Sequence, residues 1–142
     1  MSGTAGGKTA QTVGELMGLR TGMLVQELGW DSDVDDDVRR QIEDAIDGDM
    51  VDGDDGSVVD LVLMWWRDDD GDLVDNLVDA LTDLGEGGAV WLLTPKVGRP
   101  GAVDHADITE AAPVAGLSVT STVVVSSGWS ATCLVAPRQG RG

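Results

Sequence analysis

The stretch that most constrains the fold runs from Val58 to Leu84. Its first part, VVDLVLMWW, is a near-continuous apolar run, which is typical of a strand covered on both faces, as in parallel sheets. After the acidic turn, residues 73–84 repeat apolar side chains at i, i+4 and i+8 and predict an amphipathic helix of about three turns. A second apolar run at residues 89–93 completes a strand–helix–strand unit, whose crossover is right-handed.

Similar patterns precede this unit. A helical turn is predicted at residues 14–20 and a short strand at residues 23–28. A second amphipathic helix is predicted to begin at Ser32, in a sequence that resembles a capping box, and to end at Gly48. Met50 and Val51 predict a brief extended piece before the central unit.

The carboxyl-terminal part predicts a short helix followed by a hairpin. Either Asp104 or Asp107 is suited to cap this helix, which Pro113 should kink. Two β-rich runs, separated by a Ser-Ser-Gly turn at residues 126–128, predict antiparallel strands. We therefore predict an α/β fold, a three-layer α/β/α Rossmann-like domain whose mostly parallel sheet of about five strands ends in an antiparallel hairpin. The predicted single domain spans residues 14–137, with disordered tails at residues 1–13 and 138–142.

This arrangement resembles a shortened class I methyltransferase sheet, which also ends in an antiparallel hairpin. In methyltransferases a Gly-rich turn after the first strand lets the backbone approach the cofactor. Here Glu27 and Gly29 stand where an E-x-G-x-G motif would begin, but Trp30 and Asp31 follow and the second glycine is missing. The strand that would carry a ribose-binding acid is predicted to be deleted, and no cofactor is predicted.

Charge is distributed unevenly along the chain. The net charge is −17, and residues 15–86 hold most of the acids. Such a charge opposes binding to nucleic acid and to anionic membranes. The chain has one cysteine, Cys133, so we expect no intrachain disulfide. It has no apolar run of 18 residues, so we expect a cytoplasmic protein without membrane contact. The Asp-rich stretch at residues 31–35 lacks the pattern of an EF-hand loop, and the one at residues 68–72 is explained by a helix cap. We therefore predict no metal site.

Ligands of open α/β sheets bind in the crevice at the carboxyl ends of the strands. Lys96 and Arg99 lie on a Gly/Pro-shaped loop just beyond such an end. They are suited to hold a phosphate or carboxylate, to meet the acids of a partner, or to pair internally with the turn at residues 68–72. The predicted crevice, for ligand or partner, contains Gly29, Trp30, Asp31, Trp66, Arg67, Thr94, Lys96 and Arg99.

Four longer segments carry a more specific resemblance. They are LVQELGWDSDVDDDVRRQIEDA, DLVLMWWRDDDGDLVDNLVDAL, WLLTPKVGRPG and GWSATCLVAP. Over about residues 20–137 the chain resembles an actinobacterial family known as domain of unknown function 3052. The resemblance implies an actinobacterial, cytoplasmic source and brings no established reaction, cofactor or catalytic residue.

Two functions remain open from the sequence. The first is a non-catalytic module that acts through protein–protein interaction or regulation, as a monomer or homodimer with a protein partner. The alternative is a protein that uses the crevice, either as a small-molecule binder or as a degenerate S-adenosylmethionine-dependent methyltransferase-like enzyme. A small anion is one ligand that such a binder could take. A binder needs a pre-formed crevice, whereas an interaction module is free to pack these loops shut.

Overall fold

The structure, a computed structural model, describes residues 12–53 and 56–136. Within these ranges it contains four helices and five strands. In chain order they are α1 (Val13–Met17), β1 (Val25–Leu28), α2 (Asp36–Ile46), β2 (Val59–Trp65), α3 (Leu73–Ala80), β3 (Leu84–Pro95), α4 (His105–Val114), β4 (Ser118–Val124) and β5 (Trp129–Val135). Residues 1–11 and 137–142, which hold most of the two tails predicted to be disordered, lie outside the described ranges, and Val13 is buried at the start of α1.

The five strands form one open sheet in the order β1-β2-β3-β5-β4. Strands β1, β2 and β3 are parallel, and β5 is antiparallel to both of its neighbours. The α/β fold predicted from the sequence, with its closing antiparallel hairpin, is therefore confirmed. The strand predicted to be deleted persists as a single parallel bridge between Val51 and Gln26, at the outer edge of β1.

Helices cover both faces of the sheet and make the three layers. Trp65 and Trp66, adjacent at the end of β2, are both buried and belong to opposite cores. The core on the Trp65 side includes Ile42 of α2, while the core on the Trp66 side includes Leu77 of α3 and Ile108 of α4. This alternation is what a strand covered on both faces requires.

Helix α2 starts later than predicted. Its N-cap is Asp35, whose carboxylate accepts bonds from the backbone of Asp37 and Val38, and not Ser32. An acceptor at this position satisfies amide groups that have no partner within the helix. Asp33 consequently lies outside the helix and is free to bind elsewhere.

Helix α3 is two turns long, because Leu84 already pairs with Val59 as the first residue of β3. Its N-cap is Asp72, whose carboxylate accepts a bond from Asp75 N at 3.1 Å. The glycine-rich segment that separates the predicted helix from the predicted strand at residues 89–93 belongs to β3. At Gly88 a β-carbon would lie 2.7 Å from the carbonyl oxygen of Asp60, so the close approach of the neighbouring backbone explains glycine there.

The last helix and the hairpin follow the prediction. Asp104, one of the two proposed caps, accepts a bond from Ala106 N at 3.0 Å, and Pro113 lies in the final turn of α4. Gly116 follows with a positive φ of 86°, as expected just beyond a helix end. No helix within the described ranges is long and apolar enough to cross a membrane.

Candidate ligand-binding cavity

A cavity of about 440 Å³ opens at the carboxyl ends of β1 and β2, beside α3. The loop after β1 contributes residues 28–31, and the end of β2 with the turn beyond it contributes residues 64–67 and Asp70. Helix α3 adds Asn76 and Asp79. Both the volume and the position are typical of small-molecule sites in open α/β sheets.

Gly29 determines how the loop after β1 reaches the cavity. Its φ is +76°, and a β-carbon at this position would lie 2.2 Å from the carbonyl oxygen of Trp65. Only glycine tolerates both the left-handed conformation and this close approach. The next residue, Trp30, is turned outward and is 58% exposed at the cavity wall.

Arg67 joins the loops around the cavity and is itself 8% exposed. Its Nε and Nη2 donate to the two carboxylate oxygens of Asp33, with a distance of 3.0 Å from Nε to Oδ2. Its Nη1 donates to Gly29 O at 2.8 Å and to Asp70 Oδ2 at 3.2 Å. The guanidinium carbon also lies 5.5 Å from the centre of the Trp129 ring. All three nitrogens of this cation are therefore engaged within the protein.

The ionisation of this cluster reflects the same contacts. Hydrogen bonding to Arg67 is the largest effect on Asp33 and, with a smaller contribution from the charge of Arg99, it lowers the pKa of the Asp33 carboxyl. Burial alone would lower the pKa of Arg67, but its bonds to Asp33 and Asp70 outweigh burial and raise the pKa. Arg67 therefore stays charged, and it holds Asp33 charged too.

The remaining charge of the cavity is negative. Asp31 and Asp79 line it, and within the described ranges neither carboxylate forms an ion pair. Asp31 accepts a bond from the backbone of Ser32 at 2.7 Å, which fixes its side chain at the loop. Because Arg67 is already neutralised, the cavity presents carboxylates to a ligand without a free cation.

A second polar cluster lies beside the cavity and does not open into it. Glu27 accepts two bonds from Arg39, at 2.7 and 2.8 Å, and a third from the indole nitrogen of Trp65 at 2.9 Å. The bond to Glu27 is the main reason why the pKa of Arg39 is raised. The acid that stands at the start of the degenerate E-x-G-x-G motif is thus used to attach α2 to the sheet.

The cavity brings together five of the eight residues predicted for the crevice and leaves three outside. Those that line it are Gly29, Trp30, Asp31, Trp66 and Arg67. Thr94 is buried in β3, opposite Ser130 of β5. The backbone of Lys96 donates to Gly128 O at 3.0 Å, and the Arg99 guanidinium lies against the same glycine. The loop after β3 therefore packs on the hairpin instead of lining the cavity. The turn at residues 68–72 forms its ion pair with Arg67, and only its backbone reaches that loop, where Asp68 N donates to Gly101 O at 2.9 Å.

Sequence reasoning missed the contribution of α3. Asn76, Asp79 and Asp70 line the cavity but are not among the eight residues predicted for the crevice. Asn76 and Asp79 are three residues apart, so both project from one side of the helix. The signal was that α3 follows β2 directly, which places its first turns beside the carboxyl end of that strand.

Solved structures of methyltransferases share this fold. A S-adenosylmethionine-dependent methyltransferase from Aquifex aeolicus aligns with a TM-score of 0.59 at 12% sequence identity, over 86% of this chain and 87% of its own. Another from Thiobacillus denitrificans, in complex with S-adenosyl-L-homocysteine, aligns with a TM-score of 0.55 at 12% identity, over 88% and 89% of the two chains. At such identities the similarity shows a Rossmann-like fold and no more.

The residues at the strand ends do not fit S-adenosylmethionine in the way that resemblance to methyltransferases implies. The space that Gly29 leaves open is filled by the backbone of Trp65, so it is not a cradle for a cofactor. Trp30 occupies the place before the expected second glycine and projects at the cavity wall. The bridge at Val51 is followed by Asp52, which does not line the cavity.

Relatives in sequence lead to a family rather than a reaction. Uncharacterized proteins of Mycobacterium tuberculosis and Mycobacterium bovis are 48% identical to this chain over 145 residues, covering 98% of it and 91% of their own length. Residues 14–138 match the family described as "Protein of unknown function (DUF3052)", as the resemblance of its four segments predicts. The chain belongs to this DUF3052 family.

Proposed function

We propose that the protein binds a small, positively charged molecule with a flat ring in the cavity at the ends of β1 and β2. The observation that carries this proposal is the pre-formed cavity in which Asp31 and Asp79 form no ion pair with any described residue, while Arg67, the one cation among the lining residues, is bound internally. The proposal favours the small-molecule alternative over an interaction module. It also replaces the expected anionic ligand with a cationic one.

Charge supports a cation for two reasons. An anion would meet Asp31 and Asp79 without a free Lys or Arg among the lining residues, and like charges repel at this range. An ammonium or guanidinium group would replace water at these carboxylates with charge-assisted hydrogen bonds. The net charge of −17 adds a long-range attraction for cations, which salt weakens.

A ring is supported by Trp30. This indole is more than half exposed, on a loop whose course is fixed by Gly29. Exposed tryptophan faces stack against flat rings and attract cations through the charge distribution of the ring. Trp66 lies deeper in the same wall and gives it an apolar floor.

Interaction with a regulatory protein partner is a separate prediction, which neither the cavity nor the relatives support specifically. A module that acts only through its outer surface has no need of a pre-formed cavity between two strand ends. The non-catalytic character predicted from the sequence is kept in this proposal, because Trp30 stands in the turn where the backbone of a methyltransferase approaches its cofactor.

Three probes of one shape and different charge test the proposal by calorimetric titration. They are phenethylamine, 2-phenylethanol and phenylacetate, which are cationic, neutral and anionic near neutral pH. We expect the amine to bind up to about fivefold more tightly than the alcohol, since a partly exposed ion pair contributes at most about 1 kcal/mol. The carboxylate should bind most weakly.

Matched variants locate the effect. Asp31→Asn with Asp79→Asn should reduce the difference between the amine and the alcohol to less than about twofold, because the charge is lost and the shape is kept. Asp44→Asn, on the exposed face of α2, should change nothing. Equal binding of all three probes to the unaltered protein, or a preference for phenylacetate, would overturn the proposal.

A further inference from the structure

The sheet ends in an edge strand that has none of the charges that commonly protect such edges. Strand β4 pairs with β5 on one side, and on its other side the described part of the chain places no strand. Ser118–Val124 contains neither a charged residue nor a proline. An uncovered edge presents unpaired backbone donors and acceptors, which natural proteins usually protect with lysine, proline or a bulge.

Only the last of these devices is present. The register between β4 and β5 shifts between Val119 and Ser121, which leaves residues 121–124 as the regular part of the edge. A bulge shortens an edge without closing it. The edge is therefore short, and whatever pairs with it makes a modest interface.

Charge indicates what kind of partner this edge accepts. The chain carries a net charge of −17, so a second copy is repelled from most of its surface. Residues 111–137, which include both strands of the hairpin, contain no charged residue. This is the region where two copies of the chain approach with the least electrostatic cost.

Apolar side chains stand at both ends of the edge, on one face. Val124 is 55% exposed and lies opposite Ser130, on the side of the sheet that α4 covers. Val114, at the end of α4 and four residues before Ser118, is 72% exposed. In an antiparallel pair of β4 strands the start of one lies beside the end of the other, which would bring the end of α4 in each copy toward Val124 of the other.

We propose that β4 pairs antiparallel with β4 of a second copy of this chain, around a two-fold axis perpendicular to the sheet. Such an axis makes the contact self-complementary and continues the α4-covered face from one copy to the next. The short regular edge gives a small interface, for which a dissociation constant on the order of micromolar or weaker is expected. This inference is independent of the ligand proposed for the cavity.

Sedimentation velocity of the full chain tests the pairing over about a hundredfold range of concentration. We expect a monomer–dimer equilibrium that shifts toward dimer as salt rises, because salt screens the repulsion between two acidic copies. Hydrogen exchange at the same concentrations should slow in β4 and not in β1, the opposite edge of the sheet.

Charge variants identify the surface. Val124→Lys combined with Val114→Lys should weaken dimerisation by at least about tenfold, since two copies would then bring like charges together and lose apolar contact. Val58→Lys, at a site that is 73% exposed and precedes β2, is the matched control and should have no effect. A monomer at every concentration and salt overturns the proposal, as does a dimer that the double variant forms equally well. Dimers that form only after removal of residues 1–11 or 137–142 would also overturn it, by showing that a tail of the chain covers the edge.

Discussion

Replacing Arg67 by methionine tests whether this side chain is the connection that holds the loops around the cavity. Methionine keeps an apolar stem of similar length in a position that is 8% exposed, and it removes the guanidinium group. The change deletes the bonds to Asp33, to Asp70 and to the carbonyl oxygen of Gly29, together with the contact to Trp129.

The size of the effect follows from the exposure of each partner. The side chains of Asp33 and Asp70 are 49% and 33% exposed, so each regains water and each lost ion pair costs up to about 1 kcal/mol. Gly29 is exposed, so its carbonyl oxygen also regains water and the lost bond costs about 0.5–1.5 kcal/mol, while the contact with the ring contributes about 0.5–1 kcal/mol. Removal of a buried charge returns part of this total, because its desolvation cost disappears. We expect the free energy of unfolding to fall by about 2–3 kcal/mol.

Urea unfolding followed by tryptophan fluorescence measures the change, since Trp65 and Trp129 pack edge to face at 4.8 Å between ring centres near Arg67. Arg40→Met is the control: Arg40 pairs with Asp37 across an exposed turn of α2, and its loss should stay within about 0.5 kcal/mol. If Arg67→Met is no more destabilising than Arg40→Met, Arg67 is not a connection between the loops and the reasoning fails.

Three further outcomes are expected. The stability difference between wild type and Arg67→Met should persist from neutral pH down to about 3.8 and decline below it, because the pKa of Asp33 is lowered and its contribution is lost as pH falls through the folded-state value; urea titrations at several pH values would contradict this if the difference already vanished at pH 5. Gly29→Ala should cost at least about 2 kcal/mol in the same assay, and more than Gly18→Ala, which has a similar positive φ in open space; equal costs would show that the contact with Trp65 is unimportant. S-adenosylmethionine is itself a cation with a flat ring, but it should bind with a dissociation constant above about 100 µM by calorimetry, because the Gly29 turn offers no cradle for a cofactor; tighter binding would contradict that conclusion.

The sequence was sufficient to predict every layer of the fold, because the spacing of apolar residues reflects whether an element is buried on one face or on two. Trp65 and Trp66 illustrate this, since adjacent strand residues must enter opposite cores. Boundaries were less accurate where two local signals competed: Ser32 and Asp35 are both good caps. In the structure Asp35 accepts the bonds of the helix amides, and Asp33, which precedes the helix, pairs with Arg67.

The sequence predicted at which edge of the sheet the candidate site lies, but not which of the loops at that edge form it. Every loop that follows a parallel strand lies at the same edge, which is why Asp31, Trp66 and Arg67 were predicted together and why all three line the cavity. Lys96 and Arg99 emerge at that edge as well, but β5 lies beside β3 and its turn engages their loop through Gly128. Strand order decides which loops line the same cavity, and side-chain geometry decides whether a cation there is free to bind a ligand. The spacing of apolar residues along the sequence predicts neither.

The most direct test of the cavity follows the five indole N–H signals of ¹⁵N-labelled protein during titration with phenethylamine. The proposal predicts saturable shifts of the Trp30 and Trp66 signals, with Trp91 unmoved because its ring lies outside the cavity. The shifts should need a higher concentration of 2-phenylethanol and be lost for phenethylamine in the Asp31→Asn, Asp79→Asn variant. The Lys96→Ala, Arg99→Ala variant should respond as wild type does. Shifts that ignore the charge of the probe, or that depend on Lys96 and Arg99 instead, would contradict a cation-binding cavity at the ends of β1 and β2.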